Sequence, residues 1–176
     1  MKIIKTKIND LVILKSKIFK DRRGFFKEVE KNHILKQKFI FDCFSYSKKN
    51  TLRGLHLQTN KSQAKIITVV QGKILDVVVD LRKKSKTYGK HFKIEISQNS
   101  NFSLFIPKGF AHGFIVLSEL AIVSYKVDNY YDPNYESGVI WNDKDLNIDW
   151  KINANEVILS EKDKNLSPLA KIINPF

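Results

Sequence analysis

The sequence predicts an all-β fold, a β-sandwich or jelly-roll barrel, and three observations carry that reading. Short runs of β-branched and aromatic residues recur along the chain, its seven glycines and four prolines punctuate them mostly singly, and helical periodicity is scarce. Ile66-Ile67-Thr68-Val69-Val70 reads as a strand, and Gln71-Gly72 as the turn that ends it. Leu75, Val77, Val79 and Leu81 then alternate with other residues, the period-two pattern of a half-buried strand. Residues 102–106, 114–117 and 121–127 are further strands. The helical stretch runs over about residues 29–38, and one more turn of helix is expected near the C-terminus.

A chain of 176 residues suits one domain, here 1–176, and can bury roughly two thirds of its unfolded surface. At 43% hydrophobic it is too apolar for disorder. No apolar run approaches the roughly 20 residues that span a bilayer. Met1-Lys2-Ile3-Ile4-Lys5 lacks the core of a signal peptide, and Cys43 is the only cysteine, so an intrachain disulfide is impossible. The expectation is a cytoplasmic protein with no membrane partner.

Lysine and arginine total 31 against 18 acidic residues, a net charge of +13. Nucleic acid is the reflex reading of such a balance. The lysines are scattered, however, in runs no longer than pairs such as Lys48-Lys49 and Lys83-Lys84, with no recognition-helix pattern nearby. A solvated surface explains them, and its field favours a small anionic substrate such as a nucleotide diphosphate.

Four histidines are present. His33 and His91 sit among lysines and read as surface residues. His56, in Leu52-Arg53-Gly54-Leu55-His56-Leu57-Gln58, and His112, in Pro107-Lys108-Gly109-Phe110-Ala111-His112-Gly113, are embedded in apolar residues beside glycines. Two histidines in such similar settings point to a site. The second segment resembles the Pro-x-Gly-x-x-His part of the cupin pattern. Cupins that bind metal usually supply His-x-His and a glutamate from the first motif, but Gln58 occupies the second histidine position here and no glutamate follows. His56 and His112 alone are a poor ligand set, so neither a metal nor any other cofactor is expected.

Among metal-free cupins, the chain closely resembles the dTDP-4-dehydrorhamnose 3,5-epimerases from about Val12 to Pro168. The resemblance rests on Phe19-Lys20-Asp21-Arg22-Arg23-Gly24-Phe25-Phe26-Lys27-Glu28, Leu52 to Gln58, Gln63-Ala64-Lys65, Asp76 to Arg82 and Pro107 to Phe114. It continues in Tyr125-Lys126, Tyr130-Tyr131-Asp132-Pro133, Glu136, Trp141-Asn142-Asp143 and Leu159 to Asp163. It implies a cupin-type jelly roll with a few short helices and a nucleotide-linked 4-keto-6-deoxy sugar as substrate. The ketone acidifies the hydrogens on C3 and C5. Inversion needs a base on one face, an acid on the other and a positive group at the oxyanion.

By resemblance, His56 is the base, Asp163 its partner, Tyr125 the proton donor and Lys65 the group near the sugar oxygen. Arg23 and Arg53 would grip the diphosphate, since a guanidinium offers phosphate a planar fork of donors. Phe25 and Glu28 would reach the nucleotide from the partner subunit's arm, because family members are homodimers. His112, Glu136 and Lys162 fall at further substrate-contact positions, and Tyr131 at a pocket wall. A related sugar-nucleotide ketoisomerase and a non-catalytic sugar-nucleotide-binding cupin are the alternatives. A product ketone still on C4 separates the epimerase from the first, and binding alone needs no acid and base pair.

One departure stands out. Family members that use thymidine nucleotides commonly carry Gln-x-Asn just upstream of the arginine matched by Arg53, whereas this chain has Phe41-Asp42-Cys43-Phe44. Both amides are gone, and the expectation is a base other than thymine. Guanine leads, because relatives of the family act on GDP-linked 6-deoxy-4-keto heptoses in capsule synthesis.

Overall fold

The computed structural model describes residues 1–172 and 176. Its strands form two antiparallel sheets face to face, with a separate hairpin. One sheet runs β1 (Lys2–Lys5), β2 (Val12–Lys15), β10 (Phe102–Ile106), β7 (Lys65–Gln71), β12 (Leu120–Val127) and β5 (Phe41–Lys48). The other runs β13 (Glu136–Gly138), β6 (Leu52–Gln58), β11 (Phe110–Val116), β8 (Lys73–Asp80) and β9 (His91–Ser97). The hairpin pairs β3 (Ile18–Asp21) with β4 (Gly24–Lys27). Among the described residues no helix is long and apolar enough to cross a membrane.

The core between the sheets follows from strand alternation. Ile67 and Val69 on β7, Ala121 and Val123 on β12, Ile74 and Val78 on β8, and Phe110 and Phe114 on β11 meet in one buried cluster. Each such side chain contributes roughly 1.5–3 kcal/mol by leaving water. This packing fills one end of the sandwich. The other end carries polar side chains and stays open.

Strand β8 corrects the expectation of a half-buried strand. Leu75, Val77 and Val79 belong to a second buried cluster on the outer face of the five-stranded sheet, while Ile74 and Val78 lie in the first. The outer face is covered by the C-terminal segment through Trp141, Leu146, Trp150, Leu159 and Leu169. Both faces of β8 are therefore buried.

The helix expected over residues 29–38 is also corrected. Only α1 (Asn32–Leu35) forms. Its N-cap position, Lys31, supplies no side-chain hydrogen bond, and Lys36 ends it in the left-handed region at φ 52°. The helical turn expected near the C-terminus is α2 (Glu161–Lys164), and its Ser160 hydroxyl accepts from the Asp163 amide at 3.1 Å. His33 is exposed, whereas His91 on β9 is half-buried.

Two glycines hold the histidine-bearing strands together. A Cβ on Gly54 would lie 2.7 Å from both Gly113 Cα and the His112 carbonyl, and one on Gly113 would lie 2.6 Å from the Arg53 carbonyl. Any side chain here forces β6 and β11 apart. With both positions bare, His112 is the direct cross-strand neighbour of His56. Alternation along β6 also slips by one residue at Gly54: Leu52, Leu55 and Leu57 face the outer cluster, while Arg53, His56 and Gln58 line the open end.

Candidate active site

The open end is a pocket of about 280 Å³ between the sheets. The five-stranded sheet contributes Arg53, His56, Gln58, His112 and Glu136, and the six-stranded sheet Cys43, Phe44, Ser45, Lys65 and Tyr125. That volume is at the small end of the range for ligand sites, so a long ligand must extend over the rim.

His56 Nε2 lies 2.5 Å from Asp163 Oδ1. Helix α2 delivers this carboxylate: residue 158 docks beside the start of β6 through Leu52 N–H to Ile158 O at 2.9 Å, and the Ser160 cap sets the turn that follows. Burial raises the Asp163 carboxyl, but bonds from His56, Ser160 and the Gly54 amide outweigh it and leave it below the usual range. The carboxylate is held ionised. With Nε2–H donated to it, His56 has Nδ1 free to accept a proton.

Tyr125 stands on the opposite sheet, its hydroxyl 3.2 Å from Ser45 Oγ. Burial pushes its phenol up to about 12, so it is protonated at neutral pH. Lys65, on the adjacent strand β7, is pulled down by burial while Glu136, Cys43 and Asp76 oppose the fall. Arg53 Nε donates to Ser47 Oγ at 2.8 Å and Nη2 to the Tyr46 carbonyl at 3.2 Å. No carboxylate pairs with it among the described residues, so its charge is available to an anion.

The rim is a linked set. Tyr131 Oη donates to Glu136 Oε2, and Lys162 Nζ pairs with the same oxygen. Burial raises the Glu136 carboxyl, but Lys162, Tyr131 and the nearby His56 bring it below its ordinary value. Lys162 meets the site through Glu136. Arg23, Phe25 and Glu28 do not line this pocket. Arg23 is exposed on the β3–β4 hairpin and paired with Asp21 at 2.6 Å, Phe25 is 53% exposed, and Glu28 pairs with Lys31 at 3.1 Å.

Sequence reasoning named two residues without seeing what they do. Gln58 is buried, with Nε2 donating to the Lys61 and Tyr130 carbonyls and Oε1 accepting from the Asp132 amide at 2.6 Å. It pins the loop that carries Tyr131. Asp76, wholly buried on β8, lies 2.8 Å from His112 Nε2 through Oδ2. A lone acid inside the run Ile74-Leu75-Asp76-Val77-Val78 was the available signal. Among the described residues no three His, Cys, Asp or Glu side chains gather in a metal-binding group.

A sequence model of the family described as dTDP-4-dehydrorhamnose 3,5-epimerase matches residues 5–171. The chain is 42% identical to the dTDP-4-dehydrorhamnose 3,5-epimerase of Escherichia coli K12, covering 98% of this chain and 97% of that one. Two solved structures are close. The Legionella pneumophila dTDP-6-deoxy-D-glucose-3,5-epimerase, in complex with dTDP-4-keto-L-rhamnose, superposes with a TM-score of 0.92 at 40% identity, over 97% of this chain and 94% of that one. The Bacillus anthracis dTDP-4-dehydrorhamnose 3,5-epimerase, with TDP and PPi bound, gives 0.91 at 44%, over 96% and 99%. A pocket with a histidine–aspartate pair and a buried tyrosine on facing sheets, and likeness along nearly the whole chain, lead to one conclusion: this chain belongs to the dTDP-4-dehydrorhamnose 3,5-epimerase family of cupin-fold isomerases.

Proposed function

We propose that the chain acts in the cytoplasm to invert C3 and C5 of a nucleotide-diphosphate-linked 4-keto-6-deoxy sugar for surface polysaccharide synthesis, residues 1–176 forming one catalytic unit. One observation carries the reading: the His56–Asp163 pair and Tyr125 approach the same small pocket from opposite sheets. His56 removes the proton next to the C4 ketone, and Asp163 balances the imidazolium. Lys65 meets the oxygen as the enolate forms. Tyr125 returns a proton to the other face, and solvent then resets both groups. Arg53 receives the diphosphate at the mouth. Separate incubations with a dTDP-linked and a GDP-linked 4-keto-6-deoxy sugar in deuterated water, followed by NMR, test this. Deuterium at C3 and C5 with inverted configuration and the ketone still on C4 is expected. No exchange at either carbon overturns the reading.

The same proposal extends to a homodimer in which the β3–β4 hairpin brings Arg23, Phe25 and Glu28 to the partner's pocket. Its support is the position of Arg23, away from the pocket of its own chain, beside Phe19, Phe25 and Phe26, each more than half exposed. Mixing inactive Arg23→Ala and His56→Asn proteins should restore activity in hybrid dimers, and a monomer by light scattering overturns it.

A second reading concerns the base. Cys43 and Phe44 line the pocket, Phe44 is 73% exposed, and Phe41 packs on the Tyr130 ring at 6.0 Å. These side chains offer stacking surface and hardly any hydrogen bonding. We infer that guanine replaces thymine, on a hexose or heptose. Calorimetric titration with GDP and dTDP decides between them: tight dTDP binding without detectable GDP binding sinks the idea.

A further inference from the structure

Asp76 is in an uncommon situation. The residue is 0% exposed, its Oδ2 is spent on His112 Nε2 at 2.8 Å, and its Oδ1 is buried with no hydrogen-bond partner among the described residues. Its neighbours along the same face of β8 are Ile74 and Val78. An ionised carboxylate facing a neutral imidazole there leaves the pair itself with net negative charge out of reach of water. Burial pushes the Asp76 proton affinity up, while His112 and Lys65 pull it down.

Two arrangements leave the pair electrically neutral. In one, an imidazolium donates from Nε2 to a carboxylate. In the other, a carboxylic acid donates to Nε2 of a neutral imidazole. Both put a proton on Nδ1, the ring nitrogen left for the pocket. Only the pair that has lost its shared proton leaves Nδ1 bare.

We propose that Asp76 is a positioning residue: by holding one proton between itself and His112, it makes His112 Nδ1 a standing hydrogen-bond donor to the sugar's C4 oxygen as the enolate forms. No proton leaves His112 in this role, so the donor is the same before and after each inversion. The inference rests on the epimerase reading for its substrate but not for its proton. The other titratable groups at the pocket are Arg53 and His56 from β6, Lys65 from β7, Tyr125 from β12, Cys43 from β5 and Glu136 from β13.

Nitrogen NMR of full-length protein labelled with 15N-histidine reads the proton directly, without substrate. His112 Nδ1 should retain a protonated-type shift from pH 6 to 8, and a bare nitrogen at pH 7 overturns the proposal. Failure of the deuterium assay on wild-type protein would instead strike the epimerase reading. Asp76→Asn supplies the kinetic arm. It should lower kcat by about a hundredfold with KM little changed, the scale of losing one oxyanion donor. A native kcat, or a loss carried by KM instead, overturns the proposal, and if the variant does not fold, the wild-type NMR decides alone.

Discussion

The pocket holds two histidine–aspartate pairs built on the same plan and directed to opposite ends. His56 and His112 are cross-strand neighbours, and each gives Nε2 to a carboxylate. They differ in how that carboxylate is satisfied. Asp163 sits at a capped turn, with bonds from Ser160 and the Gly54 amide besides the imidazole, and is held below its ordinary range. Asp76 sits on a central strand with an orphaned oxygen and is held above it. The lesson is that the imidazole's role is written in the second oxygen of its partner. On the roles proposed above, a satisfied carboxylate leaves Nδ1 open to accept a proton, whereas an unsatisfied one keeps a proton in the pair.

Replacing the histidines in turn is the harshest test of that contrast. His56→Asn should abolish both solvent exchange and inversion, a loss of about ten-thousand-fold, because no proton is abstracted. His112→Asn should cost about a hundredfold, with exchange and inversion falling together. Native-rate deuterium exchange by His56→Asn refutes the division of roles. Tyr125→Phe comes next. Inversion should drop by hundreds of fold while exchange at the first carbon persists, since His56 can still remove and return a proton on its own face. Equal loss of both processes would move Tyr125 out of the acid role.

Asp163→Asn should reduce kcat by about ten- to a hundredfold, because the imidazolium loses its counter-charge. A native rate would detach Asp163 from catalysis.

A third buried carboxylate gives a smaller effect and a reference for both pairs. Asp80 accepts from Arg82, Ser85 and Thr87, and these bonds outweigh burial to hold it at about 2. Its folded value is depressed. The stability it contributes is therefore full above the unfolded value of about 3.9 and is lost as pH falls from there through about 2. Denaturant titrations of wild-type and Asp80→Asn protein should converge over that acid window, and a constant gap contradicts the account. Least of all should chelation matter: exhaustive removal of divalent ions should leave the rate unchanged, and loss reversed by one added metal overturns the metal-free mechanism.

The site was legible where its residues sit in compact segments. Leu52 to Gln58 and Pro107 to His112 announce two histidines beside glycines, and those glycines turn out to permit the strand approach that pairs them. Asp76 was quoted only as part of a motif, because its partner is 36 residues away and period-two counting follows the apolar positions on the opposite face. The burial of both faces of β8 was hidden for a related reason. Ile74, Asp76, Val78 and Asp80 make an ambiguous face until the C-terminal segment is known to cover the other one. Helix α1 is short because Lys36 turns left-handed, which no apolar spacing announces. Gln58 was read as a missing metal ligand, when its amide clasps two loops, one at Lys61 and one at Tyr130 and Asp132.

The position of Asp163 also sets a timetable. His56 and its partner are 107 residues apart, and the carboxylate arrives only once residue 158 has docked beside β6 and Ser160 has capped the turn beyond it. During synthesis every strand from β1 to β13 can emerge and pair before that segment leaves the ribosome. A nascent or C-terminally clipped chain thus lacks both the carboxylate beside His56 and side chains, Leu159 and Leu169 among them, that cover the outer face of the five-stranded sheet. The charged pair and the second apolar cluster are therefore completed by one and the same C-terminal segment.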